Sequence, residues 1–222
     1  GFTPSGYVKP GKKVAHEMTK DEIEELIEIY ANDAKICEEL GFDGVEVHGA
    51  HGYLLDQFFW DQINLRTDEY GGTIENRSRF AKEILKESQK KTADNFKIGI
   101  RAKITEDPTE LNHFFKILKG AGADFIHCSN RRFWEGEFQQ TGMNLAGIAK
   151  TATNLPTISV GSVGLDKDFI KLYAGDHQTQ TADLSILHEK LNKAEFDLIA
   201  VGRALLSDPN WANKVQDGKE DE

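Results

Sequence analysis

Histidines at 48 and 51 and a tyrosine at 53 close the stretch GVEVHGAHGY, with glycines set between them. They follow a short alternating run, Gly44 to His48, of the kind that forms a strand. Two imidazole N–H donors converging on one oxygen would polarise a carbonyl. A tyrosine hydroxyl beside them could deliver a proton to the adjoining carbon. That combination suits a carbon–carbon double bond conjugated to a carbonyl, hydride arriving on one face and a proton on the other. Two other readings stand beside it. His48 and His51 could ligate a metal, although a metal site needs three or four ligands and no nearby Asp, Glu or Cys has the spacing to complete one. His48 could equally be a satisfied core histidine and Tyr53 an aromatic filler.

Further candidates lie where other strands end. Arg101 closes KIGIR, where it could neutralise an anionic ring system or pair on the surface with Glu106 or Asp107. VGSVG (160–164) and AVGRALL (200–206) end the last two strands. Their glycines, Gly161 and Gly202, let backbone N–H groups approach an anion, with Ser162 beside them. Arg203 adds a permanently charged, forked donor. A phosphate between the last two strands is the usual cofactor anchor of (β/α)8 enzymes.

The elements that must position these residues alternate. Thr19 and Glu22 form a capping box, and Ile23, Leu26, Ile27, Tyr30, Ala34 and Cys37 repeat at helical spacing until Gly41. Helices are expected over 76–91, 108–119, 144–153, 167–173, 184–192 and 208–215, with a polar loop at 175–185. Strands are expected at 44–48, 97–101, 124–128, 156–161 and 197–203. Most strands are apolar on both faces, as a parallel sheet covered by helices requires. The alternation predicts an α/β fold. No G-x-G-x-x-G opens a helix after a strand, which argues against a dinucleotide-binding doubly wound sheet. Polar or glycine chemistry recurs at every strand end, which predicts a (β/α)8 TIM barrel, here incomplete with about five βα units, as one domain over 1–222.

Composition sets the outer bounds. The 222 residues are 39% hydrophobic and 29% charged, as in a soluble globular protein. A net charge of −10 disfavours nucleic acid as a partner, because phosphates would be repelled. No apolar run approaches the roughly 18 residues of a membrane span, and the start has no signal-peptide pattern. Cys37 and Cys128 stand far apart, as two buried thiols of a reducing compartment would. The expectation is a cytoplasmic protein that binds a small molecule and neither nucleic acid nor membrane.

The run GFDGVEVHGAHGYLLDQFFWDQINLRTDEYGGTIENRSRF, with KIGIR, HCSNRRFWEGEF, VGSVG and FDLIAVGRALLSDPNW, resembles the Old Yellow Enzyme family of flavin-dependent ene-reductases. The resemblance covers nearly all of the chain. It implies FMN as cofactor, NAD(P)H as reductant and an α,β-unsaturated carbonyl compound as substrate. His48 and His51 then match the pair that holds the substrate oxygen, and Tyr53 the proton donor. Arg101 matches the arginine beside the flavin pyrimidine ring, and Gly161, Ser162, Gly202 and Arg203 the FMN phosphate site. Arg66, Asp68, Tyr70, Glu75, Asn76 and Arg77 fall in the family's signature loop and read as architectural. The resemblance further implies three βα units ahead of this segment, which would make it the C-terminal part of the barrel with two open sheet edges. Alone, such a chain is expected to bind FMN poorly and to pair with copies of itself or with a missing barrel half. The alternatives to an ene-reductase are a non-catalytic barrel fragment that needs a partner chain and a metal-assisted barrel hydrolase.

Overall fold

The structure, a computed structural model, describes residues 1–103, 107–138, 142–166 and 180–219. The helix expected at 167–173, the first part of the polar loop expected after it (175–179), and Glu106 lie outside the described residues. The chain divides into two compact units, Gly1–Ile126 with Thr151–Leu155, and His127–Lys150 with Pro156–Glu222.

The first unit opens with four very short strands, β1 (Phe2–Thr3), β2 (Tyr7–Lys9), β3 (Lys12–Lys13) and β4 (His16–Glu17), paired β1 with β4 and β2 with β3. Helix α1 (Lys20–Glu39) begins at the expected capping box: Thr19 Oγ1 accepts from the Glu22 N–H, and Glu22 Oε2 accepts from the Thr19 N–H at 2.7 Å. It stops at Gly41, whose φ of +89° no side-chain-bearing residue adopts cheaply. Then come β5 (Gly44–Gly49), α2 (Leu54–Phe59), α3 (Ile74–Arg77), α4 (Arg79–Lys91), β6 (Lys97–Ala102) and α5 (Pro108–Gly120). Strands β5 and β6 pair in parallel with His48 opposite Arg101. The apolar stripe of α1 (Ile23, Ile27, Ala31 and Ala34, all buried) packs on α4. Beneath lies an aromatic core, with the Phe58 ring 4.7 Å from Phe80 and the Phe59 ring 4.8 Å from Phe114. Each such ring removes from water an area worth about 1.5–3 kcal/mol.

Strand β7 (Phe125–Cys128) falls at the division of the units, and α6 (Leu145–Thr153), β8 (Thr157–Val160), α7 (Ser185–Asn192), β9 (Leu198–Ala200), α8 (Arg203–Ser207) and α9 (Trp211–Gln216) follow. In the second unit β8 and β9 pair in parallel, Val160 opposite Ala200. Asn144, fully buried, ties this unit together. Its Nδ2 donates to the Phe133 carbonyl at 2.7 Å and to Ser159 Oγ at 3.1 Å, and its Oδ1 accepts from the Gly147 N–H at 2.9 Å.

Strands β5 to β9 follow chain order with helices between them, so this is an α/β fold with the topology of consecutive βα units of a (β/α)8 barrel. The expected strands are present within a residue or two at most ends. Three expectations are corrected. The helix expected over 76–91 is two helices meeting at Ser78. The last strand ends at Ala200, and Arg203 already begins a helix. Cys128 is buried, and burial pushes its thiol well above the usual range, but Cys37 is only half-buried. No helix among the described residues is long and apolar enough to cross a membrane.

Candidate active site

Strand β5 carries His48 to its C-terminal end, and the register sets Arg101 beside it at the end of β6. The chain then turns sharply: His51 and Gly52 both have left-handed backbones, φ 63° and 76°. A left-handed histidine costs about 1–2 kcal/mol relative to the right-handed form. The turn brings the chain back so that the His48 ring stands 5.2 Å, centre to centre, from both the His51 ring and the Tyr53 ring. Tyr53 is the N-cap residue of α2, yet its phenol takes no part in capping, and it is 63% exposed.

Packing therefore does little to fix the tyrosine, and the backbone carries the load. The Gly52 N–H donates to Asp56 Oδ2 at 2.7 Å, and Gln57 Nε2 donates to the Gly52 carbonyl at 2.7 Å. Burial pushes the Asp56 carboxyl above its ordinary range, against the Gly52 N–H and the positive charge of Lys103. Neither Asp56 nor Gln57 is singled out by sequence reasoning. The available signal is a carboxylate at the third position of a helix whose N-cap cannot cap itself, half of a capping box aimed one residue further back.

The signature loop meets structural partners throughout. Arg66, with a nearly buried side chain, donates to both carboxylate oxygens of Asp68 and through Nη1 to the carbonyls of Pro4 and Met18. Burial alone would raise the Asp68 carboxyl, but Arg66 and the Tyr70 N–H outweigh it and hold it below its usual range. The Tyr70 hydroxyl donates to Glu83 Oε2 at 2.9 Å, Glu75 pairs with His113 at 2.6 Å, and the Asn76 N–H donates to Thr73 Oγ1 at 3.4 Å. Arg77 reaches the Phe59 carbonyl and Glu110, each at 2.6 Å.

In the second unit, Gly161 and Ser162 follow β8, and Gly202 and Arg203 follow β9. Gly161 has φ +131°, and a Cβ there would stand 2.7 Å from the backbone of Asn130 and Arg131, so only glycine fits. Ser162 is itself left-handed at φ 55°. Its hydroxyl donates to the Arg131 carbonyl and accepts from Arg203 Nη2, both at 3.1 Å. A Cβ at Gly202 would meet no described atom within 4 Å, which leaves open space above the backbone ahead of Arg203. An oriented guanidinium beside an open glycine backbone is a donor set that fits a phosphate. The Ser162 hydroxyl gives its proton to a carbonyl, and its oxygen steers the arginine.

Residues 4–222 match the family described as NADH:flavin oxidoreductase / NADH oxidase. The chain belongs to that family. It is the Old Yellow Enzyme family that the motifs resemble, FMN-dependent oxidoreductases reduced by NAD(P)H. Among curated members, the NADPH dehydrogenase of Clostridium acetobutylicum is 32% identical over 89% of this chain and 56% of its own length. The cinnamate reductase of Clostridium sporogenes is 30% identical over 92% of this chain and 32% of its own. The chain thus spans about half the length of the first of these family members, and less of the second. Among solved structures, a 2-naphthoyl-CoA reductase in complex with 2-naphthoyl-CoA superposes with a TM-score of 0.77 at 24% identity, over 99% of this chain and 33% of that one, a likeness of fold.

Proposed function

We propose that this sequence carries the substrate-activating residues and the phosphate anchor of an FMN-dependent, NAD(P)H-oxidising ene-reductase acting on α,β-unsaturated carbonyl compounds. The observation that carries the reading is the cluster of His48, His51 and Tyr53, two imidazoles and an exposed phenol with the His48 ring 5.2 Å from each of the others. A family member named for reducing cinnamate, whose double bond is conjugated to a carboxyl group, supports it. Among the described residues no three His, Cys, Asp or Glu side chains gather as a metal site, which gives the hydrolase alternative no support.

FMN, once bound and reduced by NAD(P)H, would supply the hydride for the β-carbon of the substrate. His48 and His51 donate N–H hydrogen bonds to the carbonyl oxygen and take up the negative charge that develops there. Tyr53 gives its hydroxyl proton to the α-carbon and, being exposed, recovers one from water. Arg101, beside His48 across the strand pair, would offer its positive charge to the flavin ring. Arg203, steered by Ser162, would hold the FMN phosphate.

The test follows the two half-reactions separately by flavin absorbance in stopped flow. In a complete, FMN-loaded enzyme Tyr53→Phe is expected to slow reoxidation by an enone by about 10²–10⁴-fold, the usual contribution of a general acid, and to leave reduction by NAD(P)H unchanged. Equal slowing of both halves would remove Tyr53 from the proton-donor role.

A further inference from the structure

The two residues that hold the Gly52 backbone have no part in the chemistry above, yet they stand where they control it. We propose that Asp56 and Gln57 are positioning residues that clamp the Gly52 peptides from both sides and so fix His51 and Tyr53 against His48; this rests on Tyr53 being the proton donor. Asp56 Oδ2 holds the N–H of the His51–Gly52 peptide, and Gln57 Nε2 holds the carbonyl of the Gly52–Tyr53 peptide, each at 2.7 Å.

Both peptides that flank Gly52 are therefore fixed by side chains of one helix turn, α2, whose Leu55, Phe58 and Phe59 are buried in the first unit. The clamp links a rigid core to an exposed turn. It adds two shorter hydrogen bonds to the one that closes the turn, from the Tyr53 N–H to the Ala50 carbonyl at 3.3 Å. Gly52 offers no side chain, His51 and Gly52 are both left-handed, and His51 and Tyr53 are exposed. A glycine peptide without its hydrogen bonds can rotate between alternative turn conformations at little energetic cost. Rotation of either peptide would carry the His51 or the Tyr53 ring away from His48. Asp56 and Gln57 touch backbone only in these contacts, so their influence on the reaction passes through Tyr53 and His51.

The inference is tested with Asp56→Ala, Asp56→Asn and Gln57→Met in the complete, FMN-loaded enzyme, each singly and combined with Tyr53→Phe. Asp56→Ala is expected to slow reoxidation by an enone about ten- to a hundredfold, the scale of an ångström-sized misplacement, and to leave reduction by NAD(P)H unaltered. Asp56→Asn, which keeps an oxygen for the Gly52 N–H, restores most of that rate. Gln57→Met slows the same half-reaction in the same direction. In a Tyr53→Phe background Asp56→Ala adds a smaller effect than in the parent, because the part that acts through Tyr53 is already lost and only the part through His51 remains. Independently of flavin, nuclear Overhauser contacts between the His48 and Tyr53 rings in protein labelled at His and Tyr are expected in the parent and lost in Asp56→Ala. Ring contacts that persist in Asp56→Ala, an Asn variant as slow as the Ala variant, or full slowing in the Tyr53→Phe background would each overturn the clamp. If Tyr53→Phe alone leaves the enone reaction unchanged, the proton-donor reading fails, and the ring contacts still decide whether the clamp exists.

Discussion

Replacing Arg77 with methionine isolates what the signature loop contributes to stability. Arg77 is 2% exposed and donates to the carbonyl of Phe59, the last residue of α2, and to Glu110 on α5. Two charge-assisted bonds are worth about 1.5–3 kcal/mol each. The two losses are unequal in kind. Glu110 has 32% of its side chain exposed and can recover water when its partner goes, whereas the Phe59 carbonyl, left with no partner in a buried site, cannot. One term opposes the loss: Arg77 Nε is buried without a hydrogen-bond partner among the described residues, and methionine removes that burden. The balance is a destabilisation of about 3 kcal/mol, at the lower end of what breaking a buried ion pair costs. With a urea m-value near 2 kcal/mol/M, the midpoint falls by about 1.5 M. Because the chain has two units, the transition must be read from the first alone. Trp134→Phe and Trp211→Phe leave Trp60 as the single fluorescent tryptophan. Glu110→Gln is the discriminating control, with an expected loss under about 1 kcal/mol, as for a part-exposed partner. Equal losses for Arg77→Met and Glu110→Gln would refute the reasoning, because they would show that the ion pair, and not the carbonyl clamp, stabilises the fold.

Two further outcomes are expected. Arg203→Ala should raise the dissociation constant for FMN by roughly 10–100-fold, the worth of one charge-assisted contact, in a flavin fluorescence titration; unchanged affinity would contradict the phosphate assignment. Asp197 bears on acid stability: burial alone would raise its carboxyl, but Lys150 and the Thr157 N–H hold it below its usual 3.8. A depressed folded-state pKa adds stability that is present above the ordinary carboxylate value and lost as pH falls through the folded value. With 36% of its side chain exposed, the contribution is screened to about 1 kcal/mol. Asp197→Asn should flatten the acid limb of the stability curve, and parallel curves for parent and variant would sink this account.

How much of this was legible in the sequence depends on what signals each feature. The capping box at Thr19 and Glu22 is a local pair of side chains, and the structure keeps it intact. The parallel strands are short β-rich runs bounded by glycine and charge, and they are where the pattern puts them. Helix α2 was not legible, because LLDQFF is too short to show a period and apolar almost throughout. The opening strands, of two or three residues, pair through backbone and carry no pattern at all. The division into two units has no linker or composition shift to announce it.

The site shows the same asymmetry at higher resolution. The gathering of His48, His51 and Tyr53 was readable because all three signals are side chains and lie within one turn of a strand end. Most contacts that hold the site and its loop were not, because one partner in each of these is backbone. Arg66 spans from its own loop to the carbonyls of Pro4 and Met18, Arg77 to that of Phe59, Gln57 to that of Gly52, and Ser162 to that of Arg131. Every residue supplies a carbonyl, so an acceptor has no identity in a sequence. A buried arginine in a loop can be read as architectural from its surroundings, but what it binds is settled only by the fold. Side chains that meet substrate must be particular residues and leave a mark in the sequence. Side chains that meet the main chain leave half a mark, the donor without its address.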